Sequence, residues 1–223
     1  MDALLLRSAE FEKLMTEYLT IPPAIASKKS QAARIMCSVA FEHSESIKIL
    51  LATGNFTSAT GLLRLQFEAL VRAHWFHFAA TDIQIEKHLE ELTYKSATKN
   101  SKAPMLSEML QKMEGKAPKN ALDPLLEFKQ FSWKPLSSYV HGGIHAINRH
   151  SQGYPIQLLE LVLRNSNGLN GVTAYFWSHL TGQPHRPKEV MELFKEFRNC
   201  LPPDRLKNLS KAICDSAQEV KNT

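Results

Sequence analysis

Apolar side chains surround most of a helical wheel drawn for residues 54–80. An α-helix advances about 100° per residue, so positions three and four apart share a face. The only continuous charged strip on this wheel consists of Arg64, Glu68 and Arg72, which follow one another at steps of four. A helix that is apolar nearly all round is usually a central one, so the pattern predicts a buried helix with one polar seam. One side of the wheel is filled by Leu63, Phe67, Leu70, Val71, His74 and Phe78.

The segment that precedes the central helix is predicted to form a second helix packed against it. Residues 30–53 carry their own apolar stripe, and only Gly54 and Asn55 separate them from the helix at about 56–80. Two long helices joined this tightly are expected to form an antiparallel hairpin. Glycine is scarce elsewhere, and the prolines fall mainly between apolar periodic segments, which favours helices over a many-stranded sandwich.

The sequence therefore predicts one all-α domain over residues 1–223, a helical bundle of seven to nine helices with its core at about 30–200. A mobile loop is expected at about 96–120 and a C-terminal tail at about 204–223. A polar patch at 165–168 is expected to kink or divide the last long helix. Further helices are predicted at about 2–19, 81–94, 105–113, from 123, 136–150, 155–180, around 190–200 and, weakly, 204–220.

Two histidines and two consecutive glycines mark residues 136–150, which we expect to form a His-bearing helix packed on the hairpin. On one continuous helix His141 and His145 are four apart, so both imidazoles would face one point. Gly142 and Gly143 are poor helix formers, which indicates either a close approach of another backbone or a helix start at that point. The polar side of this helix holds Ser138, His141, His145, Asn148 and Arg149, and the apolar side holds Leu136, Val140, Gly143, Ile144 and Ile147.

Three interpretations of His141 and His145 are compatible with this spacing. Glu68 could complete a metal site, although H-x-x-x-H without the Glu of a metalloprotease motif does not define one, and we predict no metal. Histidine titrates near neutral pH, so the pair could perform acid–base chemistry. The third interpretation is a solvated polar face or a hydrogen-bonded contact to a neighbouring helix.

The charged seam also has two interpretations. An exposed ladder of ion pairs at steps of four contributes only a few tenths of a kcal/mol per pair. The apolar surroundings of Arg64, Glu68 and Arg72 predict that this ladder is less exposed, which is costly unless it provides specificity or a site. Trp75 and Trp133 could stack on a base or fill the core, and the core is the ordinary place for them.

Composition narrows the partners and the compartment. The formal charge of +5 and a pI near 9.1 are compatible with RNA or another anionic partner. Three widely spaced cysteines, the absence of a signal-peptide pattern and the absence of a long uncharged apolar run predict reduced thiols, a cytoplasmic protein and no membrane contact. A small-molecule or nucleotide pocket between the bundle helices is a further functional class, although no Gly-rich phosphate loop is present, and no cofactor is predicted.

Two motifs together resemble an uncharacterised group of bacterial all-helical proteins that is similar to HEPN-type bundles. The first is S-A-x-x-L-L-R-x-x-F-E-A-x-x-R-A-x-W, from Ser58 to Trp75. The second is W-K-x-L-x-S-Y-V-H-G-G, from Trp133 to Gly143. The resemblance covers about residues 30–180.

The resemblance implies a helical bundle, often a homodimer, that acts as a toxin or phage-defence ribonuclease. Active HEPN proteins carry Arg followed by four to six residues and then His, a spacing that Arg72 and His77 satisfy. This chain departs from the pattern because Ala73 replaces the usual polar residue. A five-residue step also rotates the second side chain by about 140°.

Two functional hypotheses follow from the resemblance. In a metal-independent ribonuclease, His141 or His145 would be the general acid or base, Arg64 or Arg72 would stabilise the phosphorane, and Glu68 would orient one of them. In a non-catalytic interaction protein with a toxin or defence partner, the Arg64, Glu68 and His141 set would be a structural network that fixes helix register.

Overall fold

The computed structural model describes residues 1–91, 93 and 104–203, and in these residues it contains helices and no β-strand. This confirms the predicted all-α bundle. None of the described helices is both long and apolar enough to cross a membrane. Two 3-10 turns lie at Tyr18–Thr20 and Arg198–Cys200, and the nine α-helices of the described chain are α1 (Asp2–Glu17), α2 (Lys28–Ala52), α3 (Phe56–Phe78), α4 (Asp82–Leu89), α5 (Leu106–Met113), α6 (Lys119–Val140), α7 (Ile144–Gln152), α8 (Ile156–Leu180) and α9 (Arg186–Glu196).

Helix α3 is the central element. It packs most extensively against α2, and also contacts α5, α6, α7 and α8. The link between α2 and α3 is three residues long, and Gly54 allows the reversal because its φ of +81° lies in the left-handed region. Twelve of the 23 residues of α3 are buried, among them Leu63, Phe67 and Leu70. The predicted buried helix is therefore present, and its length and contacts make it the axis of the bundle.

Helix α8 runs unbroken through the polar patch at 165–168, so the helix is not divided there. Ser166, Asn167 and Asn170 are fully buried. Gln66 of α3 donates from Nε2 to the Ser166 carbonyl oxygen and to Asn170 Oδ1, both at 3.0 Å. Asn167 Nδ2 donates to Ser8 Oγ and to the Cys200 carbonyl oxygen. The polar side chains of this patch therefore bond to other elements instead of competing with the helical backbone of α8.

A buried ion pair attaches α1 to this polar interior. Lys48 of α2 donates from Nζ to Glu12 Oε1 at 2.7 Å and to Ser44 Oγ at 2.9 Å. Asn170 Nδ2 donates to the same Glu12 oxygen at 3.1 Å and to Ser44 Oγ at 2.6 Å. Burial lowers the pKa of Lys48, an effect that Glu12 opposes. One network of polar side chains therefore connects α1, α2, α3 and α8.

The expectation of a short helix from residue 123 and a separate helix over 136–150 is corrected by the structure. Helix α6 is continuous over 22 residues and includes Pro124 and Pro135. It ends where Gly142 adopts a φ of +63°, and α7 begins after Gly143. The Gly143 N–H bonds to the Ser138 carbonyl oxygen at 2.7 Å, a glycine-based helix termination. The two glycines therefore separate two helices, and the His-bearing stretch is a corner.

The predicted loop at about 96–120 is only partly described. Its short helix is present as α5, and Met109, Leu110 and Met113 of that helix are buried, so this portion belongs to the core. The fourth helix, predicted to reach about residue 94, ends at Leu89. Residue 92 and residues 94–103 lie outside the described residues. The same holds for the predicted helix and tail at 204–223 and for Cys214. Cys37 and Cys200 are buried free thiols, in agreement with the prediction.

His74 of α3 is fully buried, and its imidazole stacks on Phe176 with ring centroids 4.0 Å apart. Burial lowers the pKa of His74 from 6.5 to about 4. Between these values the unfolded chain binds a proton that the folded chain does not, so stability is lost as the pH falls. We expect acidification from pH 7 to pH 4 to remove about 3 kcal/mol through this residue.

Urea unfolding of the wild-type protein and of His74→Phe at several pH values checks this expectation. The variant retains the aromatic stack and lacks the titrating group, so its free energy of unfolding should fall less steeply below pH 6.5. Because the carboxylates titrate alike in both proteins, the difference isolates His74. Parallel curves for the two proteins would contradict the expectation.

Candidate functional site

The charged seam of α3 forms a chain of contacts at the edge of the core. Arg64 Nε donates to Glu68 Oε1 at 2.9 Å, and Arg72 Nη1 lies 4.0 Å from Glu68 Oε2. The side chains of Arg64 and Glu68 are 14% and 18% exposed, whereas that of Arg72 is 39% exposed. The ladder is thus largely removed from solvent at Arg64 and Glu68 and opens to solvent at Arg72.

The corner between α6 and α7 brings His141 onto this seam. His141 is the C-terminal cap of α6, and its Nε2 lies 3.0 Å from Arg64 Nη1. A guanidinium group only donates hydrogen bonds, so Nε2 accepts and the neutral imidazole carries its proton on Nδ1. The Arg64 guanidinium also lies over the Trp133 ring, with Cζ 4.3 Å from the centroid. Three predicted site residues, Arg64, Glu68 and His141, therefore meet.

His145 does not join this set, and the prediction that both imidazoles face one point is wrong. That prediction required a continuous helix, and the turn at Gly142 interrupts it. The His145 backbone N–H donates to Ser138 Oγ at 3.0 Å, so the Ser138 hydroxyl caps the N-terminus of α7. Its ring is roughly parallel to Tyr139, with centroids 6.3 Å apart. Across the described ranges, no group of three or more His, Cys, Asp or Glu side chains is arranged to hold a metal ion.

The spacing from Arg72 to His77 does not bring these two side chains into one site. Arg72 contacts Glu68 on the seam. His77 packs against Phe176 of α8, with centroids 5.8 Å apart, and lines a cavity together with His74. The rotation of about 140° between the two positions explains why they face different neighbours.

An exposed apolar surface beside the corner was not predicted. The predicted apolar side of the His-bearing segment points partly into solvent, because Val140, Ile144 and Ile147 are 40%, 76% and 66% exposed. The sequence contains one signal for this surface, since no Asp or Glu occurs between residues 128 and 159. We name these three aliphatic residues the α7 surface; the basic groups around them in the sequence are Lys134, His141, His145, Arg149 and His150.

Comparison with known proteins identifies a family and no activity. Residues 37–203 match the model of a family of unknown function, DUF6988. No curated protein and no solved structure shows a significant match. The match includes α3, α6 and α7 and therefore every residue of the candidate site. An all-helical uncharacterised family agrees with the resemblance, whereas the HEPN relationship itself stays a prediction.

If the Arg64 contacts hold the corner in place, Arg64 substitutions should destabilise the fold. We expect Arg64→Ala to lower the free energy of unfolding by about 2 kcal/mol, since it removes the hydrogen-bond donor to Glu68 Oε1 and uncovers the Trp133 face. Arg64→Lys should cost about 1 kcal/mol because lysine lacks the planar group. Urea unfolding measures both values, and amide hydrogen exchange should accelerate in α7.

Arg72→Lys is the matched control because Arg72 is on the same helix, is more exposed and approaches Glu68 less closely than Arg64 does, at 4.0 Å against 2.9 Å. Its stability should lie within about 0.5 kcal/mol of the wild type. The interpretation is rejected if Arg64→Lys is as stable as Arg72→Lys, or if α7 exchange is unchanged in Arg64→Ala.

Proposed function

The chain belongs to the DUF6988 family, and we propose that it is a non-catalytic interaction protein in which Arg64, Glu68 and His141 form a structural clamp. The observation that supports this function is the engagement of Arg64. Its Nε contacts Glu68, its Nη1 contacts His141, and its planar face covers Trp133. The Arg64 guanidinium thus makes two hydrogen bonds in its plane and one contact with its face. Because His141 and Trp133 belong to α6 and its C-terminal cap, these contacts hold α6 against α3.

The tautomer of His141 also supports a structural role for this residue. Its Nε2 lone pair accepts from Arg64, so this nitrogen has no free lone pair with which to remove a proton. A general base must reach the proton it abstracts at hydrogen-bond distance. Chemistry at His141 would therefore first require that the Arg64 contact break. A clamp requires no such rearrangement.

The α7 surface gives this interaction protein a place to bind. Exposed aliphatic side chains that are surrounded by polar groups are typical of protein–protein interfaces. Ile144 and Ile147 extend into solvent from a segment that contains basic groups and no carboxylate. We therefore propose an acidic protein partner with an apolar centre. RNA would use the basic groups and leave the isoleucines exposed, and a second copy would bring two of these basic segments together.

A site-specific photocrosslinker at position 147 provides the test, with position 83 as the matched control. Ile83 of α4 is 67% exposed and Ile147 is 66% exposed, so the two probes are equally accessible. We expect a nuclease-resistant crosslink to an acidic protein from position 147 only. The purified partner should then bind Ile147→Asp at least tenfold more weakly, because the new carboxylate would lie in an apolar interface and be repelled by the acidic partner. Its affinity for Ile83→Asp should equal its affinity for the wild type.

Three outcomes would reject this partner. Crosslinks that disappear on nuclease treatment would indicate RNA. Crosslinks between two copies of the chain, together with a dimer in sedimentation, would support the predicted homodimer instead. Equal partner affinity for Ile147→Asp and Ile83→Asp would show that the α7 surface is not the interface.

We retain the metal-independent, defence-type ribonuclease as a second candidate, because His141 and His145 are both exposed in a segment that contains basic groups and no carboxylate. In that reaction the RNA 2′-hydroxyl would attack the adjacent phosphorus and expel the 5′-oxygen of the next nucleotide. His145 is the better acid or base of the two, since its ring makes no hydrogen bond within the described part of the chain, whereas His141 bonds to Arg64.

Incubation of the purified protein with total RNA in the presence of EDTA tests this candidate. If it is correct, RNA is cleaved, and His145→Ala lowers the rate by at least 100-fold, the lower end of what acid–base catalysis contributes. His185→Ala, an exposed histidine at the start of α9, should cleave like the wild type. Absence of cleavage, or equal cleavage by wild type and His145→Ala, rejects the ribonuclease and leaves the interaction protein.

A further inference from the structure

An apolar groove of about 490 Å³ lies between α6, α8 and α9. Met191 of α9 is 46% exposed, so part of the apolar wall is open to solvent. Apolar surface in contact with water is unfavourable, and another element that covers it gains free energy. We name this surface the α9 groove; its apolar wall consists of Phe128, Leu169, Val172, Met191, Phe194 and Leu201.

Two glycines of α8 determine the shape of the α9 groove. A β-carbon on Gly171 would overlap the Phe194 ring, and a β-carbon on Gly168 would lie 2.9 Å from Pro202 Cγ. Phe194 and Pro202 therefore pack directly against the backbone of α8, and both belong to the lining of the groove. The groove is thus formed by closely packed elements whose positions are fixed.

The described chain ends at the α9 groove. Pro202 and Pro203 line it, and Pro203 is the last described residue. Arg198 Nη1 donates to the Pro202 carbonyl oxygen at 2.9 Å, which holds the chain at this place. The chain therefore continues from the edge of an open apolar surface, and the segment that follows is tethered within reach of it.

The sequence after Pro203 has the pattern of an amphipathic helix. On a helical wheel for residues 204–220, five apolar residues fall within an arc of about 80°, and Lys211 and Asp215 lie on the opposite side. A helix of this length is only marginally stable alone, because most helical stability in proteins comes from packing of the apolar face. We name these five residues the C-terminal stripe; they are Leu206, Leu209, Ile213, Ala217 and Val220.

The C-terminal stripe and the α9 groove match in length. Leu206 and Ile213 are seven positions apart, which is about 10 Å along a helix. Gly168 and Tyr175, which lie in the α8 part of the groove lining, are separated by the same number of positions. Two turns of a helix that begins beside Pro203 therefore extend along the exposed part of α8.

A second groove, of about 470 Å³, lies at the same end of the described chain. It also includes Pro202 and Pro203, but four of its eight lining residues are polar or charged, among them Glu160 and Arg164. In the α9 groove only four of fifteen lining residues are of this kind. Because covering charged groups with apolar side chains costs free energy, the C-terminal stripe favours the α9 groove.

We propose that the α9 groove is the docking site of residues 204–220 of the same chain, which bind it as a helix through the C-terminal stripe. Burial of the stripe and of the exposed part of Met191 provides the free energy of docking. The tether strengthens the contact, because a segment attached at the edge of its site is present at an effective concentration on the order of 1 mM.

A benzophenone photocrosslinker at position 213 of the full chain tests this docking, with position 211 as the matched control. Ile213 lies in the C-terminal stripe, whereas Lys211 lies on the opposite side of the same predicted helix. Benzophenones insert readily into methionine side chains, so Met191 is a suitable target. We expect intrachain crosslinks from position 213 to the α8 and α9 peptides that line the groove, and none to these peptides from position 211.

A fluorescent peptide of residues 204–223 provides a second measurement. It is titrated into the wild-type chain and into a full-length chain with Leu209→Asp and Ile213→Asp, whose own stripe no longer fits an apolar wall. Because the tethered segment competes with the peptide in the wild type, we expect the peptide to bind the doubly substituted chain about tenfold more tightly.

Two further substitutions in the doubly substituted chain locate the peptide site. Met191→Glu places a charge in the apolar wall and should weaken peptide binding about tenfold. Ile156→Glu is the matched control, because Ile156 is also 46% exposed and is absent from the groove lining. The affinity of the peptide for this control should equal its affinity for the doubly substituted chain.

Four results would overturn the proposal. Crosslinks from position 213 that join two chains would indicate a second copy as the occupant. Crosslinks to residues 157–164 would place the segment in the second groove. Position 213 without crosslinks to α8 or α9, or equal peptide affinity for the wild-type and doubly substituted chains, would show that the α9 groove is not the docking site. Circular dichroism verifies that each variant is folded; if the doubly substituted chain does not fold, the crosslinks still decide, because that chain retains Leu209.

Discussion

Polar side chains buried between helices are stable only when they satisfy one another, and this requirement fixes the arrangement of four helices here. Gln66, Ser166 and Asn170 exchange hydrogen bonds between α3 and α8, and Ser44 connects them to α2. The Lys48–Glu12 ion pair extends the network to α1. A shift of one helix by a turn would leave several buried donors and a buried charge unpaired, which costs more than the loss of one apolar contact. The network therefore sets the register of the bundle.

Because α3 is held in one register, its other faces present fixed positions to the remaining helices. One face holds Arg64 where it can reach Glu68, Trp133 and the His141 corner. Another face holds His74 and His77 against α8 around a cavity with aromatic walls. Arg64 is held by Glu68, His141 and Trp133, whereas His74 Nε2 and His77 Nδ1 are buried without a hydrogen-bond partner among the described residues. The contacts of Arg64 are what make its set a clamp in our proposal.

Some elements could be read from local periodicity. The all-α class and the central helix with its charged seam followed from apolar spacing, and the pairing of two motifs made His141 a candidate partner of that seam. The hydrogen bond between His141 and Arg64 itself comes from the tertiary structure. The corner at Gly142 could not be placed, because two glycines indicate a break or a close approach equally well, and only the packed backbone selects a φ of +63°. His145 was misplaced for the same reason. Helices were predicted to start at about 123 and 136, beside Pro124 and Pro135, yet α6 is continuous through both prolines.

Local periodicity specified most of the helices and their apolar faces, since both depend on neighbours three and four residues away. The tertiary structure alone decided which polar residues are buried. Asn, Ser and Gln on a helix appear solvent-facing until partners from other helices are present, and Gln66 meets Ser166 and Asn170 across about a hundred residues of chain. It likewise decided that Ile144 and Ile147 face solvent and that three histidines surround one cavity. Burial and hydrogen-bond pairing depend on the whole fold, so no local pattern specifies them.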